Sequence, residues 1–408
     1  MARLADLLSV EEAQERILAR FQPLPAEPCE LRDALGRVLA ETVASDISLP
    51  PFDNSSMDGF ALRSADTVGA STDRPIRLRV IGEVAAGSQS TPRVASGECA
   101  RIMTGAPIPE GADAVIPFEE VEEEDVEIVL RVRARTGACV RLAGNDVATG
   151  LEVLQHGTEI GSRQIGLLAA AGKRSVSVTR RPSVAVISTG DELVEPGQPL
   201  QQGQIYNSNS PMLAAAIIEA GGVPQVFHPS RDTVEALAES LSTVKRVRAE
   251  LIITSGGASV GDFDYVKDVL ADQGQIEFWR VRVRPGKPLI LGELNGTTVI
   301  GLPGNPTSAM VTFELFVRPA IRRMLGADPR RSQVEVEVDD YIENGGGRRT
   351  FARVVLESRD GSIHARLSGP QDSAMLLPLA HANALLVIPE DREELRPGDR
   401  ATALVWSF

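Results

Sequence analysis

From residue 183 to about residue 325, short β-branched apolar runs alternate with helical segments that carry their own start and stop signals. That alternation calls for a mainly parallel sheet with helices on both faces, because parallel neighbours need a crossover that returns the chain to the same end. Residues 183–187, 223–227 and 251–254 read as strands. A helix begins at Ser210 and Pro211 and is closed by Gly221-Gly222. Asp232 to Glu235 fits a capping box for a helix through about Arg248, and a further helix starts near Asp264. Asn295-Gly296 marks a two-residue hairpin between residues 288–294 and 297–302. Asn305 stands as N-cap and Pro306 as first residue of a long helix to about Leu325. In such sheets ligands sit beyond the carboxyl ends of the strands.

Three loops leave strands at that end. The first runs Ser188-Thr189-Gly190-Asp191-Glu192-Leu193, the second starts Ser255-Gly256-Gly257, and the third is Pro303-Gly304-Asn305-Pro306. Bare glycine backbone can approach a ligand and donate N–H groups to an anion. Ser188, Thr189 and Ser255 can donate to an oxyanion or satisfy their own turns. Asp191, Glu192 and Asp264 are hard oxygen donors suited to Mg²⁺, which takes one or two carboxylates plus phosphate oxygens; Asp191 and Asp264 can equally cap following helices. Arg280, Arg282 and Arg284 stand at spacing two in what reads as one strand, so all three guanidinium groups leave the same face. Such a face is often a solvated edge. Lys287 just beyond it, held between prolines, favours a clamp for phosphate or another oxyanion.

The 408 residues predict two to four domains. A net charge of −14 argues against nucleic acid or a membrane surface as partner, since both are anionic. Any bound anion must therefore be held by a local cationic patch. Cys29, Cys99 and Cys139 are too few and too scattered for a disulfide framework, and four histidines do not suggest a histidine-rich metal site. No leader-like segment and no apolar run of spanning length is present, which predicts a cytoplasmic protein.

Ser9 with Glu12 forms a capping box, and a second helix is expected over residues 31–44 from Leu31, Leu35, Val38 and Leu39. Residues 50–60 contain Asp53 and Asp58 among small polar residues and read, on composition, as a surface loop. Residues 47–145 alternate in a β manner between turns, and residues 119–124 make an acidic, solvated face. After about Asp328 the chain becomes β again, as a small barrel-like domain. The expected fold is thus multi-domain α/β and β, with a central, mainly parallel α/β domain and a small β-barrel-like domain at the C-terminal end. An N-terminal helical and linker domain covers 1–46 plus 146–180. An inserted β-rich module covers 47–145, the α/β domain 181–327, and the terminal β domain 328–408.

The sequence lacks a phosphate-binding GxxxxGK[ST], a strand-linked GxGxxG, a GxSxG elbow and an HExxH. Seven stretches occur in one order over nearly the whole chain: FDNSSMDGFA, RIMTGAPIPEGADAVIP, RRPSVAVISTGDELVEPG, QIYNSNSPMLA, ITSGGASVGDFDYVK, FWRVRVRPGKP and GLPGNPTSA. Together they resemble the molybdopterin molybdenumtransferase family, the MoeA proteins and the gephyrin E domain. The resemblance implies an enzyme that takes adenylylated molybdopterin and molybdate, releases the adenylate as AMP and inserts the metal with Mg²⁺. It also implies a MoaB/MogA-like central domain and a homodimer with a site between one subunit's α/β domain and the other's β-rich module, and makes the molybdopterin adenylyltransferase a candidate protein partner.

Carried over residue by residue, the resemblance assigns catalytic roles to Asp58, Thr104, Asp146, Glu192, Asp232 and Asp264. Arg141, Arg280, Arg284, Lys287, Pro303, Pro306 and Ser373 fall to substrate and molybdate. Arg280 and Arg284 stand where lysine is usual, replacing a point charge by a planar fork. Asn145 stands where glutamate is common, and Ala258 where valine is usual. Two alternatives are the adenylyltransferase step or a related pyrophosphatase, and a gephyrin-like scaffold; the retained carboxylates speak against the scaffold.

Overall fold

The computed structural model describes residues 7–231, 233–244, 247–256, 265–345 and 347–406. Two compact units emerge: Pro28–Leu35 with Glu41–Val176, and Met1–Glu27 with Gly36–Ala40 and Ser177–Phe408.

In the smaller unit, a six-stranded sheet runs in the order Ala114–Pro117, Gly59–Leu62, Glu98–Ile102, Ile76–Val84, Glu127–Leu130, Val121–Glu124. Alternation along the strands sends Phe60, Leu62, Leu78 and Leu130 into one apolar cluster and Ala61, Ala100, Ile102 and Val115 into another. The acidic run at 119–124 is a surface edge, with Glu122, Glu123 and Glu124 bridged to Arg131, Arg101 and Arg77. Charges on an edge strand discourage pairing with other chains.

The larger unit contains the α/β sheet, ordered Val223–Val226, Ser183–Ser188, Leu251–Ser255, Thr297–Leu302, Pro288–Leu294, Gly274–Arg280. The first four strands are parallel, Pro288–Leu294 runs antiparallel to both of its neighbours, and Gly274–Arg280 again takes the direction of the first four; the hairpin forms at Asn295-Gly296, both with positive φ. Apolar clusters on the two faces include Ile217, Ile253 and Phe316 on one side and Ile187, Leu241 and Val269 on the other. Helix Asn209–Ala220 ends on left-handed Gly221. The Ser9 capping box opens helix Val10–Ala19 as its spacing predicts. The helix from Pro306 is continuous through Met324, but its middle, Phe313–Val317, widens into a π turn.

A five-stranded barrel follows. Arg349–Arg359 pairs with Ser362–Leu367, then come Gln333–Val338, Arg400–Val405 and Ala384–Ile388, which pairs back on Arg349–Arg359 and closes the ring.

Two expectations are corrected. Residues 31–44 are not a helix: a 3-10 turn at Leu31–Asp33 is followed by Gly36 in a left-handed conformation, which breaks the helical path although Val38 and Leu39 remain buried. The arginine strand also breaks. One strand ends at Arg280, and Val283–Arg284 joins a different sheet by pairing with Arg349 and Thr350. Arg280, Arg282 and Arg284 therefore do not share one strand face.

Candidate active-site cleft

The carboxyl ends of the parallel strands and the barrel enclose a cleft of about 1200 Å³ within the larger unit. Its sheet-side wall is built by three loops drawn together. Thr189 N–H donates to Ser255 O at 3.0 Å. Gly256 has φ +90°, and a Cβ there would lie 2.5 Å from Thr189 O, so only glycine allows this approach. A Cβ on Gly304 would touch Gly256 Cα at 3.5 Å. Asn209 fastens the wall: its Nδ2 donates to Ser255 Oγ at 2.8 Å and Gly304 O at 2.7 Å. A carbonyl facing Nδ2 fixes the orientation of the amide, because the flipped group would set two acceptors against each other. Asn209 Oδ1 and Thr189 Oγ1 are then buried without hydrogen-bond partners. An orphaned polar atom costs about 1–3 kcal/mol, so two in one cleft wall point to a ligand that completes them.

The opposite chemistry comes from cations. Arg284 and Lys287 line the cleft, joined by Arg348 and Arg353 from the barrel. Gly286 sits between the first two with φ +111°, its Cα against the Thr312 methyl so closely that a Cβ would approach to 2.4 Å. Arg284 Nη1 donates to Asn344 O at 3.2 Å. Burial, and then the like charge of Arg284, hold the Arg348 guanidinium below its usual pKa; burial does the same to Arg353. Arg353 is 1% exposed, donates from Nη2 to Pro370 O at 2.8 Å, and leaves Nε without a partner.

Of the residues singled out in the sequence, Thr189, Glu192, Ser255, Gly256, Arg284, Lys287, Pro303, Gly304, Asn305, Pro306 and Ser373 line this one cleft. Asn305 occupies the N-cap position as expected, yet its side chain caps nothing: Nδ2 donates to Ser373 Oγ at 2.8 Å, tying the helix start to the barrel segment. Ser188 is buried and shares a 2.7 Å hydrogen bond with Ser210 Oγ, outside the lining. Arg280 is also outside the lining. Asp191 is exposed beside Glu192 and precedes a short strand, Leu193–Val194, rather than a helix, so it is not a helix cap. Asp232, Gly257 and Asp264 lie outside the described residues, as do Asp262 and the Asp232 end of the expected capping box. Thr233 Oγ1 accepts from Ala236 N–H at 3.2 Å at the start of helix Val234–Val244. Among the described residues no group of three His, Cys, Asp or Glu side chains could hold a metal. Glu192, which lines the cleft on the sheet side as Glu343 and Asp372 do on the barrel side, fits the donor set of a Mg²⁺ ion otherwise bound to phosphate oxygens.

Asp58, Thr104, Arg141 and Asp146 belong to the smaller unit. There, Asn54–Ser55 organises their loops. It pairs with Val140–Arg141, and Ser55 O accepts from Gly105 N–H at 2.8 Å. Asn54 and Ser55 are buried, so residues 50–60 are not a free surface loop throughout. Asp58 Oδ1 accepts from Thr104 N–H at 2.6 Å and Thr104 Oγ1 at 2.8 Å. Those two bonds, the backbone one first, hold the exposed Asp58 carboxyl below its usual pKa. Asp146 is exposed, and its N–H donates to Leu49 O at 2.9 Å.

The residues that sequence reasoning missed are mostly on the barrel: Tyr341, Glu343, Arg348, Arg353, Gln371 and Asp372. Nothing in their local pattern marks them: Glu343 and Arg353 lie on strands, Tyr341, Arg348, Gln371 and Asp372 on the connections between elements, and the tertiary fold brings them to the cleft. Asn209 lay in a quoted motif, and its spacing of one from a helix start was the available signal.

Comparison with known proteins matches the chain along its length. Residues 8–172 match the MoeA N-terminal region (domain I and II), 185–323 the probable molybdopterin binding domain, and 335–406 the MoeA C-terminal region (domain IV). Molybdopterin molybdenumtransferase 2 of Mycobacterium tuberculosis is 40% identical over 408 residues, covering 98% of this chain and 99% of that protein. The molybdopterin molybdenumtransferase of Nostoc sp. is 38% identical, covering 89% and 85%. A crystal structure of the molybdopterin biosynthesis MoeA protein from Pyrococcus horikoshii superposes with a TM-score of 0.83 at 34% identity, covering 99% of this chain and 100% of that one. With its loops, its closed terminal barrel and its full length all matched, the chain belongs to the molybdopterin molybdenumtransferase family, the MoeA proteins.

Proposed function

We propose that this enzyme inserts molybdate into adenylylated molybdopterin and releases AMP, with Mg²⁺, as a cytoplasmic homodimer. The observation that supports it is the cleft wall where Arg284 and Lys287 share one hollow with Glu192 and the orphaned Thr189 Oγ1. Both substrates are anions, and the chain as a whole repels anions at −14. Fixed cations in a cleft neutralise charge where it develops and need no reorganisation during the reaction. Arg284, held by Asn344 O, presents a planar fork suited to two oxyanion oxygens, and Lys287 a point charge. Thr189 Oγ1 and the strand-end backbone supply neutral donors beside them. When bound, Mg²⁺ supplies Lewis-acid neutralisation of phosphate, with Glu192 and the neighbouring Asp191 as the described carboxylates for it. Asp264 and Asp232 belong to the same proposal, as do Asp58, Thr104, Arg141 and Asp146 of the smaller unit. The division into 1–46 with 146–180, 47–145, 181–327 and 328–408 is proposed as the domain plan, and the molybdopterin adenylyltransferase as the partner supplying substrate. No helix among the described residues is long and apolar enough to cross a membrane.

The test is molybdate-dependent AMP release from adenylylated molybdopterin by the purified chain. Lys287→Ala and Glu192→Gln are each expected to lower kcat by about a hundredfold, the cost of one charge-stabilising group. AMP release at full rate in both variants would remove the mechanism. Formation of the adenylylated compound from molybdopterin and ATP without molybdate would reassign the step.

A further inference from the structure

The cleft contains a feature that oxyanion chemistry leaves unused. Tyrosine occurs three times in the chain, and two of the three, Tyr206 and Tyr341, line this cleft. They are 44% and 56% exposed. Aromatic faces left open inside a concave site keep apolar area that a ligand can cover. The two rings come from different parts of the larger unit, Tyr206 on a paired strand and Tyr341 held through its hydroxyl. Tyr206 lies on the Ile205–Tyr206 strand, which pairs with Leu193–Val194 beside the Glu192 loop, and Ile205 N–H donates to Glu192 O at 2.8 Å. Tyr341 precedes the Ile342–Glu343 strand of the barrel region. Its hydroxyl donates to Glu394 Oε2 at 2.9 Å, and Arg396 Nε holds the same carboxylate at 2.7 Å. That chain of bonds sets the direction of the Tyr341 ring before any ligand arrives, so little rotamer entropy remains to be lost on binding.

We propose that Tyr206 and Tyr341 form a stacking platform for a planar heteroaromatic ring of the bound ligand. Molybdate and a metal ion have no such ring. The proposal rests on the reading of the cleft as the site of an adenylylated pterin, which has two, a purine and a pterin. The shared chemistry is the flat π face, and stacking on an aromatic side chain tolerates either ring.

The experiment titrates the full chain calorimetrically with AMP, ribose 5-phosphate, neopterin and molybdate. AMP and ribose 5-phosphate share the phosphate and differ in the ring. In the intact chain at least one ring-bearing probe should bind about tenfold tighter than its ring-free counterpart or measurably where none binds. In Tyr206→Ala with Tyr341→Ala that advantage should disappear, while ribose 5-phosphate and molybdate keep their affinity within about twofold. Tyr206→Phe should retain stacking, and so should Tyr341→Phe, since the π faces remain. Loss for AMP alone assigns the purine, and loss for neopterin alone the pterin. Unchanged AMP and neopterin affinities in the double variant would overturn the platform while leaving the cleft assignment standing, as would molybdate binding with no preference for either ring in the intact chain. Failure of the intact chain to bind any of the four probes would bring down the cleft assignment and the platform with it.

Discussion

Single residues in this chain carry geometry that composition cannot express. Gly286 separates Arg284 from Lys287, and its φ of +111° together with the Thr312 methyl excludes any side chain. Thr312 cannot turn aside easily, because its Oγ1 donates to Ser308 O and Ala309 O inside the helix. Gly286→Ala is expected to destabilise the larger unit by about 2–3 kcal/mol through backbone strain and overpacking, and to weaken molybdate binding; an unchanged denaturation midpoint would contradict it. Asp58 offers a pH test. Its folded pKa is lowered by Thr104, so its stabilisation is present above the unfolded carboxyl pKa and is lost as pH falls through the folded value. Thr104→Val removes the hydroxyl donor and keeps the backbone one, so the Asp58 carboxyl should titrate at higher pH by NMR, though still below an ordinary aspartate. At this scale the sequence was half legible. Glycines at strand ends announced a close approach, and Gly256 makes one. Ser188, the same residue type as Ser255 at the same strand position, turned instead to Ser210, a partner 22 residues away that no local pattern reveals.

Elements were read best where the signal is local and worst where register decides. The Asn295-Gly296 hairpin, the Ser9 capping box and the Gly221 stop needed only neighbouring residues, and all three formed. The arginine run obeyed a period of two on paper, but Val283 and Arg284 gain a ladder with Arg349–Thr350 by leaving the sheet, and that partner is remote in sequence. The π turn at Phe313–Val317 was likewise invisible, since its apolar residues suit an α-helix equally well. It places Glu314 at 3% side-chain exposure against Arg331, which grips it with two bonds of 2.9 and 3.0 Å. Arg331 lies in the segment leading into the barrel, so this pair fastens the cleft's helix to the barrel's entry. Arg331→Ala strands a buried carboxylate and should cost about 3–5 kcal/mol in denaturant unfolding of the full chain. Glu314→Leu combined with Arg331→Met should recover most of that loss, since it removes both charges. Equal losses in the single and double variants would mean that packing, and not the buried charge, is what the pair contributes.

For the molecule as a whole, the sign of the charge is opposite to the sign of the site. A chain of −14 must admit doubly charged anions to a hollow lined by Arg284, Lys287, Arg348 and Arg353. The two fields differ in reach. Repulsion from the distributed surface carboxylates acts over tens of ångströms, and the attraction of the cleft acts at contact. The Debye length is about 30 Å at 0.01 M salt, about 10 Å at 0.1 M and about 3 Å at 1 M. Raising salt from 0.01 to 0.1 M therefore screens the surface before it screens the cleft, and only further salt reaches the contact pairs. Molybdate affinity should accordingly rise at first, pass a maximum near 0.1 M and fall toward 1 M. Replacing several exposed glutamates of the 119–124 edge by glutamine should flatten the rising limb and leave the falling limb in place. A fall that begins at the lowest salt would show that the cleft cations dominate at every distance, and that the acidic surface plays no part in admitting substrate.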